Sequence, residues 1–354
     1  MKFGIFFSYQ RLGRPELTDD TLYPETLREA IAADRVGFDQ IWLPEHHLTP
    51  YFQAPSAFMT AVQIGLNVGC RVGTMASVLP YHHPLRVAGE IAVADRILEG
   101  RFDAGLARGA WAHEFRKFGL DFNDSGQRFW EEVEILLKAW HADTAIDHSG
   151  QFYQFDDAIV WPRPVQRPHP PLWIAAQSDQ SIARAAALGL NVATWPHHHP
   201  NELIRHRLEV FRDAVAEREE PETAVEQEFS VLRVAHVSDD QAERERALQV
   251  MLDNFRVNRL YHNDTAEDID EHGYVAPRPV PDEPSIEQLA DNLVVGDARE
   301  VLDRVEEYAA LGVDQLILHL SFGLEHDVTI ASIERFGNEV IRPFRERREG
   351  RAAS

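Results

Sequence analysis

Cysteine is almost absent. Cys70 stands alone among 354 residues, so the chain forms no internal disulfide and offers no cysteine-cluster metal site. That points to a reducing, cytoplasmic compartment. Basic charge is short as well: 35 Lys and Arg residues face 58 Asp and Glu, a formal net charge of −23. Such a surface repels phosphate backbones and anionic headgroups unless a basic patch is set apart. Neither nucleic acid nor membrane is an expected partner. No apolar stretch reaches the ~18 residues of a spanning helix. The opening run from Phe3 to Phe7 meets Ser8, Gln10 and Arg11 too soon to be a secretory core. No Gly-x-Gly-x-x-Gly follows a predicted strand and no Gly-x-x-x-x-Gly-Lys-Ser/Thr occurs, so neither a dinucleotide crevice nor a P-loop is signalled.

What is present suits a globular core, with 44% hydrophobic and 26% charged side chains, laid out as a repeated strand and helix. Phe3 to Phe7 reads as a buried strand. Tyr23-Pro24-Glu25 opens a helix that stops at Gly37, and Phe38 to Leu43 is a second strand, closed by Pro44. Helix Ser56–Leu66, strand Arg71–Ser77, helix Pro84–Leu98 and strand Arg101–Ala107 repeat the unit. The amphipathic helix Ser125–His141 leads through a proline-rich stretch to strand Leu172–Ala176 and helix Ser178–Leu188. Strands Leu190–Trp195, Phe229–His236 and Val313–Leu320 follow, separated by helices near Glu202–Glu217, Asp240–Leu260 and Ala298–Leu311. Eight such units predict an α/β fold, a closed (β/α)8 TIM barrel in a single domain over residues 1–345, with its functional face at the C-terminal ends of the strands. An open doubly wound sheet is the alternative. Two stretches exceed a minimal barrel: an insert at about 143–171, and a segment at about 262–284, rich in Asp, Glu and Pro, that is a candidate lid. Residues 346–354 read as a frayed tail.

If active groups sit where strands end, the candidates are few. They are Glu45-His46-His47, Met75-Ala76-Ser77 with His82-His83, Ala107-Arg108-Gly109, Gln177-Ser178, and Trp195 followed by His197-His198-His199. Folding alone does not ask for polar groups at these places, although a histidine there is as often structural. Ser178 and Ser181 would put two hydroxyls and free backbone N–H groups at a helix N-terminus, with Arg108 as countercharge, which suits a phosphate. An ordinary serine N-cap is the plain alternative, and Asp179 suits a phosphate only if its side chain turns away.

The chain resembles the bacterial luciferase-like flavin-dependent monooxygenase family. The likeness rests on Ile41-Trp42-Leu43-Pro44-Glu45-His46-His47, on Val72 to Pro80 with His83-Pro84, and on Leu98-Glu99-Gly100-Arg101-Phe102 leading into Gly105-Leu106-Ala107-Arg108-Gly109. It runs from Phe3 to about Trp195 and returns weakly at Gly312 to Gly323. The resemblance implies a (β/α)8 barrel that binds reduced FMN at its C-terminal mouth. Arg108 would clamp the phosphate, with Ser178 and Ser181 as hydroxyl donors, and His46 would be catalytic, tuned by Glu45 or by burial. It also implies a cis Met75–Ala76 peptide under the flavin ring. The implied flavin site comprises Met75, Ala76, Ala107, Arg108, Gly109, Gln177, Ser178, Ser181 and Trp195, and no metal. Phosphate after strands four and five departs from the common barrel habit of strands seven and eight.

The implied activity is a two-component monooxygenase. A separate NAD(P)H:flavin reductase supplies FMNH₂, and O₂ oxygenates a small apolar substrate (aldehyde, ketone, terpene or aromatic) through a flavin C4a-hydroperoxide that needs a dry, closable mouth. Phe7, Trp42, Met75, Leu106, Trp111 and Trp195 are candidates for that apolar lining. Ala107 replaces the reactive cysteine of bacterial luciferase and Gln177 its acidic residue, so light emission is not implied. Rivals are an F420-dependent hydride-transfer oxidoreductase of the same fold, a non-catalytic flavin-binding relative with a blocked mouth, and a zinc hydrolase built on the seventeen histidines. Adjacent histidines on a strand point to opposite faces, which makes the doublets poor chelators. Family members are usually homodimers, and Ala57, Met59, Val62, Ile64 and Val87 could form the seam unless they pack on the barrel itself.

Overall fold

A computed structural model of the protein describes residues 1–10, 19–218, 226–262 and 269–352. Eight parallel strands close on themselves: β1 (Lys2–Phe7), β2 (Gln40–Leu43), β3 (Arg71–Thr74), β5 (Phe102–Ala107), β8 (Leu172–Ala175), β9 (Asn191–Thr194), β10 (Phe229–Val237) and β12 (Gln315–Ser321). Pairing of β12 with β1 and of β9 with β10 completes the ring. Each predicted strand lies in it, and the open-sheet alternative falls. Short β4 (Ser77–Val78) continues β3 beyond a cis Met75–Ala76 peptide, and β11 (Val294–Gly296) flanks the C-terminal half of β10.

The barrel strands are buried on both faces, with bulky residues on each. Phe3, Ile5 and Phe7 of β1 face the helices, whereas Phe6 faces inward with Trp42, Met75, Trp173, Leu232 and Ile317. Two of the six expected lining residues are therefore corrected: Phe7 and Leu106 pack under the helices, and Phe6 lines the interior. Trp42 fills the barrel because glycines make room for it. A Cβ at Gly73 would stand 2.6 Å from its ring, and one at Gly4 2.9 Å. Its Nε1–H donates to Gln315 Oε1 at 3.0 Å, and Gln315 in turn donates to Gln40 Oε1 at 2.9 Å, so the interior polar groups satisfy one another.

The helices follow the predicted order, with differences at their ends. Helix α1 (Asp19–Arg35) starts before Tyr23 and holds Pro24 inside; Pro24 is its sixth residue, past the four N-terminal donors that lack partners, so the helix forgoes one intrahelical hydrogen bond there. Helix α2 (Ala57–Gly65) packs on β2 and β3 and α3 (Pro84–Ile97) on β5, followed by α4 (Ala112–Lys117), which the sequence pattern missed, and α5 (Ser125–His141). Of the five seam candidates, Ala57, Ile64 and Val87 are core; Met59 is 74% exposed and Val62 is half-buried. Later come α6 (Asp179–Ala187), α7 (Asn201–Ala216), α8 (Gln241–His262), α9 (Ile286–Asn292), α10 (Ala298–Leu311) and α11 (His326–Arg335). A π-helical turn joins α11 to α12 (Arg342–Ala352), so regular helix covers most of the stretch read as frayed. No helix among the described residues is long and apolar enough to cross a membrane.

The 143–171 insert forms an antiparallel hairpin of β6 (Ile146–Ser149) and β7 (Gln154–Ala158). It buries an unusual acid. Glu132 of α5 is fully covered; Tyr153 donates to its Oε1 at 2.5 Å, and Oε2 has no partner among the described residues. Burial outweighs the Tyr153 hydrogen bond and Arg128 and pushes the carboxyl pKa up to about 8. A raised acid contributes stability below its unfolded pKa, near the ordinary 4.5, and loses it as pH rises through 8. Glu132→Gln is therefore expected to match the wild type at pH 5 and to exceed it at pH 8.5 by on the order of 2–4 kcal/mol. Urea unfolding at both values measures this, and equal differences at the two would refute the buried neutral acid.

Of the second long segment, residues 263–268 lie outside the described set. The remainder packs Val275 and Val280 against Tyr51, Trp111 and Tyr261, and a two-pronged Arg256–Glu283 pair, at 2.8 and 2.7 Å, ties it to α8.

Candidate active site

The ends of β2, β3 and β5 carry two separate carboxylate networks. Glu45 is buried, and its Oε1 takes His47 Nε2 at 2.7 Å and His82 Nε2 at 2.5 Å, while Oε2 accepts from Ser77 Oγ at 2.7 Å and the Val78 N–H at 3.2 Å. Burial alone would raise its pKa, but the hydrogen bonds from His47, His82 and Ser77 and the charge of His82 outweigh it and hold it at about 2. The ligand-capable atoms of Glu45, His47 and His82 lie within 4.8 Å of one another. His46 belongs to the other network, as alternation along an extended chain requires. Its Nδ1 lies 3.2 Å from Glu114 Oε1, and its ring stacks on Trp111 at 3.8 Å and on Phe52 at 4.9 Å.

Glu114, on α4, also accepts from the His47 N–H at 2.6 Å and from Tyr81 Oη at 2.9 Å. Burial again opposes ionisation, yet His46, the His47 amide and Tyr81 together lower its pKa. The sequence offers Glu45 or burial as what tunes His46; the structure gives the carboxylate contact not to Glu45 but to Glu114, 68 residues away along the chain. An ionised Glu114 accepts a proton-bearing Nδ1, which leaves Nε2 of His46 as the free ring nitrogen.

Across the mouth, β5 and β8 are neighbours with Leu106 opposite Ile174, so Ala107-Arg108-Gly109 and Gln177-Ser178 emerge side by side. Arg108 is exposed beside the Phe122 ring at 5.6 Å and makes no ion pair among the described residues. Gly109 has φ +85°, and a Cβ there would stand 2.7 Å from Phe115, so no other residue fits. Ser178 caps α6: its Oγ accepts from the Ser181 N–H at 3.3 Å and lies 3.1 Å from Ser181 Oγ. Both hydroxyls thus meet at a helix N-terminus. Asp179 turns away to His206 at 2.8 Å. Arg207, from α7, donates to Gln177 Oε1 at 3.0 Å, to the Gln177 carbonyl at 2.7 Å and to Thr194 Oγ1 at 2.7 Å, which pins this loop.

Between Trp195 and α8 lies a cavity of about 360 Å³, reached by Gln10, Tyr51, Phe52, Met251, Phe255 and His319 among others. Trp195 stacks on His197 at 4.8 Å. The fully buried Arg233 donates to the carbonyls of His197 and His199 at 2.5 and 2.6 Å and so shapes the histidine triplet into a wall. Met75 is buried and Ala76 half-buried at the cis bond.

The model for the luciferase-like monooxygenase family matches residues 1–315. The chain belongs to that family. A flavin-dependent trigonelline monooxygenase, oxygenase component, from Acinetobacter baylyi is 31% identical over 98% of this chain and 96% of its own. Among solved structures, monooxygenase RslO1 from Streptomyces bottropensis aligns with a TM-score of 0.81 at 24% identity, covering 97% of this chain and 100% of that one. The oxygenating constituent of 3,6-diketocamphane monooxygenase from Pseudomonas putida, in complex with FMN, aligns with a TM-score of 0.75 at 19% identity, covering 96% and 98%.

As a luciferase-like monooxygenase, the protein is an enzyme of the flavin-dependent type, and the predicted residues fall at the mouth in two groups. Arg108, Gly109, Gln177, Ser178 and Ser181 gather at adjacent strand ends; His46 stands among aromatic rings with Glu114. The sequence reading missed Glu114, Arg207, Arg233 and His319. Only His319 carried a local signal, a lone imidazole inside the apolar run Leu316-Ile317-Leu318-His319-Leu320.

Proposed function

We propose that this luciferase-like monooxygenase is the oxygenase half of a two-component system. It takes FMNH₂ from a separate NAD(P)H:flavin reductase and uses O₂ to oxygenate a small organic substrate with an apolar body. One oxygen atom enters the substrate and the other leaves as water. Reduced FMN, when bound, supplies the two electrons. The observation that carries the reading is a set of groups suited to a phosphate: an exposed guanidinium with no ion pair among the described residues, at the end of the strand next to β8, and two hydroxyls at the start of α6, with the Asp179 carboxylate turned to His206.

The chain's residues divide the work. Arg108, Ser178 and Ser181 hold the phosphate, and Arg207 keeps Gln177 and the Ser178 loop in place. Met75, Ala76, Ala107, Gly109 and Trp195 offer the ring its apolar seat. His46 moves a proton at Nε2, with Glu114 fixing the opposite nitrogen. Residues 269–284 act as a lid that keeps water from the mouth. Met59 on α2 and Leu66 just after it, with Val93 and Ile97 on α3, are exposed apolar side chains suited to a homodimer seam.

Anaerobic titration with photoreduced FMN tests the reading, with saturation at one flavin per chain expected. Tighter binding of F420 than of FMN, or NADPH oxidation without added reductase, would overturn it. His46→Ala is expected to leave FMN affinity unchanged while product yield in a reductase-coupled assay drops at least about tenfold. Unaltered yield removes His46 from the chemistry.

A further inference from the structure

The cavity beside Trp195 shares only that residue with the set assigned to FMN. Its other walls come from the Tyr51-Phe52 loop, β10, α8 and β12. Most of the lining is aromatic or apolar, with polar groups spaced around it. Two of these hold a buried nitrogen with no partner among the described residues: Nδ1 of the half-buried His198 and Nδ1 of the deeply buried His319. His319, on the inner face of β12, is 2% exposed and sits against the rings of Phe6 at 5.0 Å and Trp195 at 6.3 Å. Its Nε2 lies 3.1 Å from the Ser321 carbonyl, an acceptor only, so Nε2 carries the proton. Nδ1 is then a lone-pair acceptor, and it has no partner among the described residues. Burial holds the imidazole neutral, with its pKa down at about 3, so this assignment persists across the working range of pH. Most buried polar atoms in native folds find a partner, and one left bare on a cavity wall marks where a ligand's donor belongs.

We propose that Nδ1 of His319 accepts a hydrogen bond from an O–H or N–H group of an aromatic substrate, which makes this cavity selective for hydroxylated or N–H-bearing rings. The inference rests on reading the cavity as the substrate pocket of the monooxygenase. Neighbouring groups fit the same class. Tyr51, Asn254 and Gln10, three further polar side chains of the lining, are already engaged: Tyr51 donates to Asn254 Oδ1 at 2.9 Å, Asn254 donates to the Phe322 carbonyl at 2.8 Å, and Gln10 donates to the same carbonyl at 3.0 Å. Of the two bare nitrogens, that of His319 belongs to the side chain held between Phe6 and Trp195, whereas His198 is half-buried.

The test uses FMN-loaded protein and two shape-matched pairs of probes, indole with benzothiophene and phenol with toluene, titrated calorimetrically against wild type, His319→Leu and His319→Asn. The wild type is expected to favour the donor-bearing member of each pair by about tenfold, the discrimination that a buried, otherwise unpaired acceptor supports. His319→Leu should bring each pair within twofold, and His319→Asn, which keeps a carbonyl acceptor, should restore part of the preference. Equal binding of the pairs by wild type, binding of none of the four, or a preference that survives in His319→Leu overturns the proposal. FMN affinity is measured on the same samples. If His319→Leu weakens FMN instead of erasing discrimination, Nδ1 serves the flavin and the substrate assignment fails while the monooxygenase reading stands. Failure of the wild type to bind FMN at all sinks that reading separately.

Discussion

Replacing Glu45 with alanine is expected to cost about 3–5 kcal/mol of folding stability, because it strands partners that are already desolvated. His47, His82, Ser77 and the Val78 amide all direct protons at this one carboxylate. A melting temperature lower by on the order of 5–10 °C is the corresponding readout. The effect is pH-dependent with a defined sign. Glu45 has a depressed pKa, so its contribution is complete above the ordinary 4.5 and is lost as pH falls through about 2. His82 is raised: burial would lower it, but the Glu45 hydrogen bond and charge prevail. Its share is complete below the ordinary 6.5 and fades as pH rises through the raised value. The gap between wild type and Glu45→Ala should therefore be widest between pH 4.5 and 6.5. A gap that is flat from pH 3 to pH 8 would show that the loss comes from packing and not from charge.

Arg108→Ala is expected to weaken FMN about 100-fold, since charge-assisted hydrogen bonds to a phosphate dianion are worth roughly 1.5–3 kcal/mol each and 1.4 kcal/mol is a factor of ten. Because Arg108 is exposed and makes no ion pair among the described residues, its removal should change stability little, so affinity is read without a folding artefact. Riboflavin supplies the control. Lacking the phosphate, it should bind wild type and Arg108→Ala alike. If both flavins weaken equally, the guanidinium contacts the ring or ribityl chain and the cradle is misassigned. Ser178→Ala with Ser181→Ala should add a smaller loss of about tenfold by the same comparison, as neutral donors contribute less than charged ones.

Much of the scaffold was legible in the residues. All eight ring strands fall at their predicted places, because short apolar runs bounded by Gly and Pro have few other ways to be buried. Helix α10 matches at both ends, helped by its Asp297–Glu300 capping box and by Gly312 in the left-handed region. Strand facing was not legible. Phe6 and Phe7 are equally apolar and both faces of a barrel strand are buried, so nothing in the pattern says which one enters the interior. Helix α4 was missed because six residues, Ala112–Lys117, are too few to show a helical period.

The repeated strand and helix, the family, and the strand-end residues at one mouth can all be read along the chain. Those properties are local in the chain, set by short-range patterning and by motifs with fixed spacing. It took the folded chain to show that Glu114 and not Glu45 holds His46, that Asp179 pairs with His206, and that Nδ1 of His319, a residue of the cavity wall, has no partner among the described residues. Each of these is a choice of hydrogen-bond partner, and such a choice depends on which groups closure of the ring brings within about 3 Å, a distance that separation along the chain does not encode.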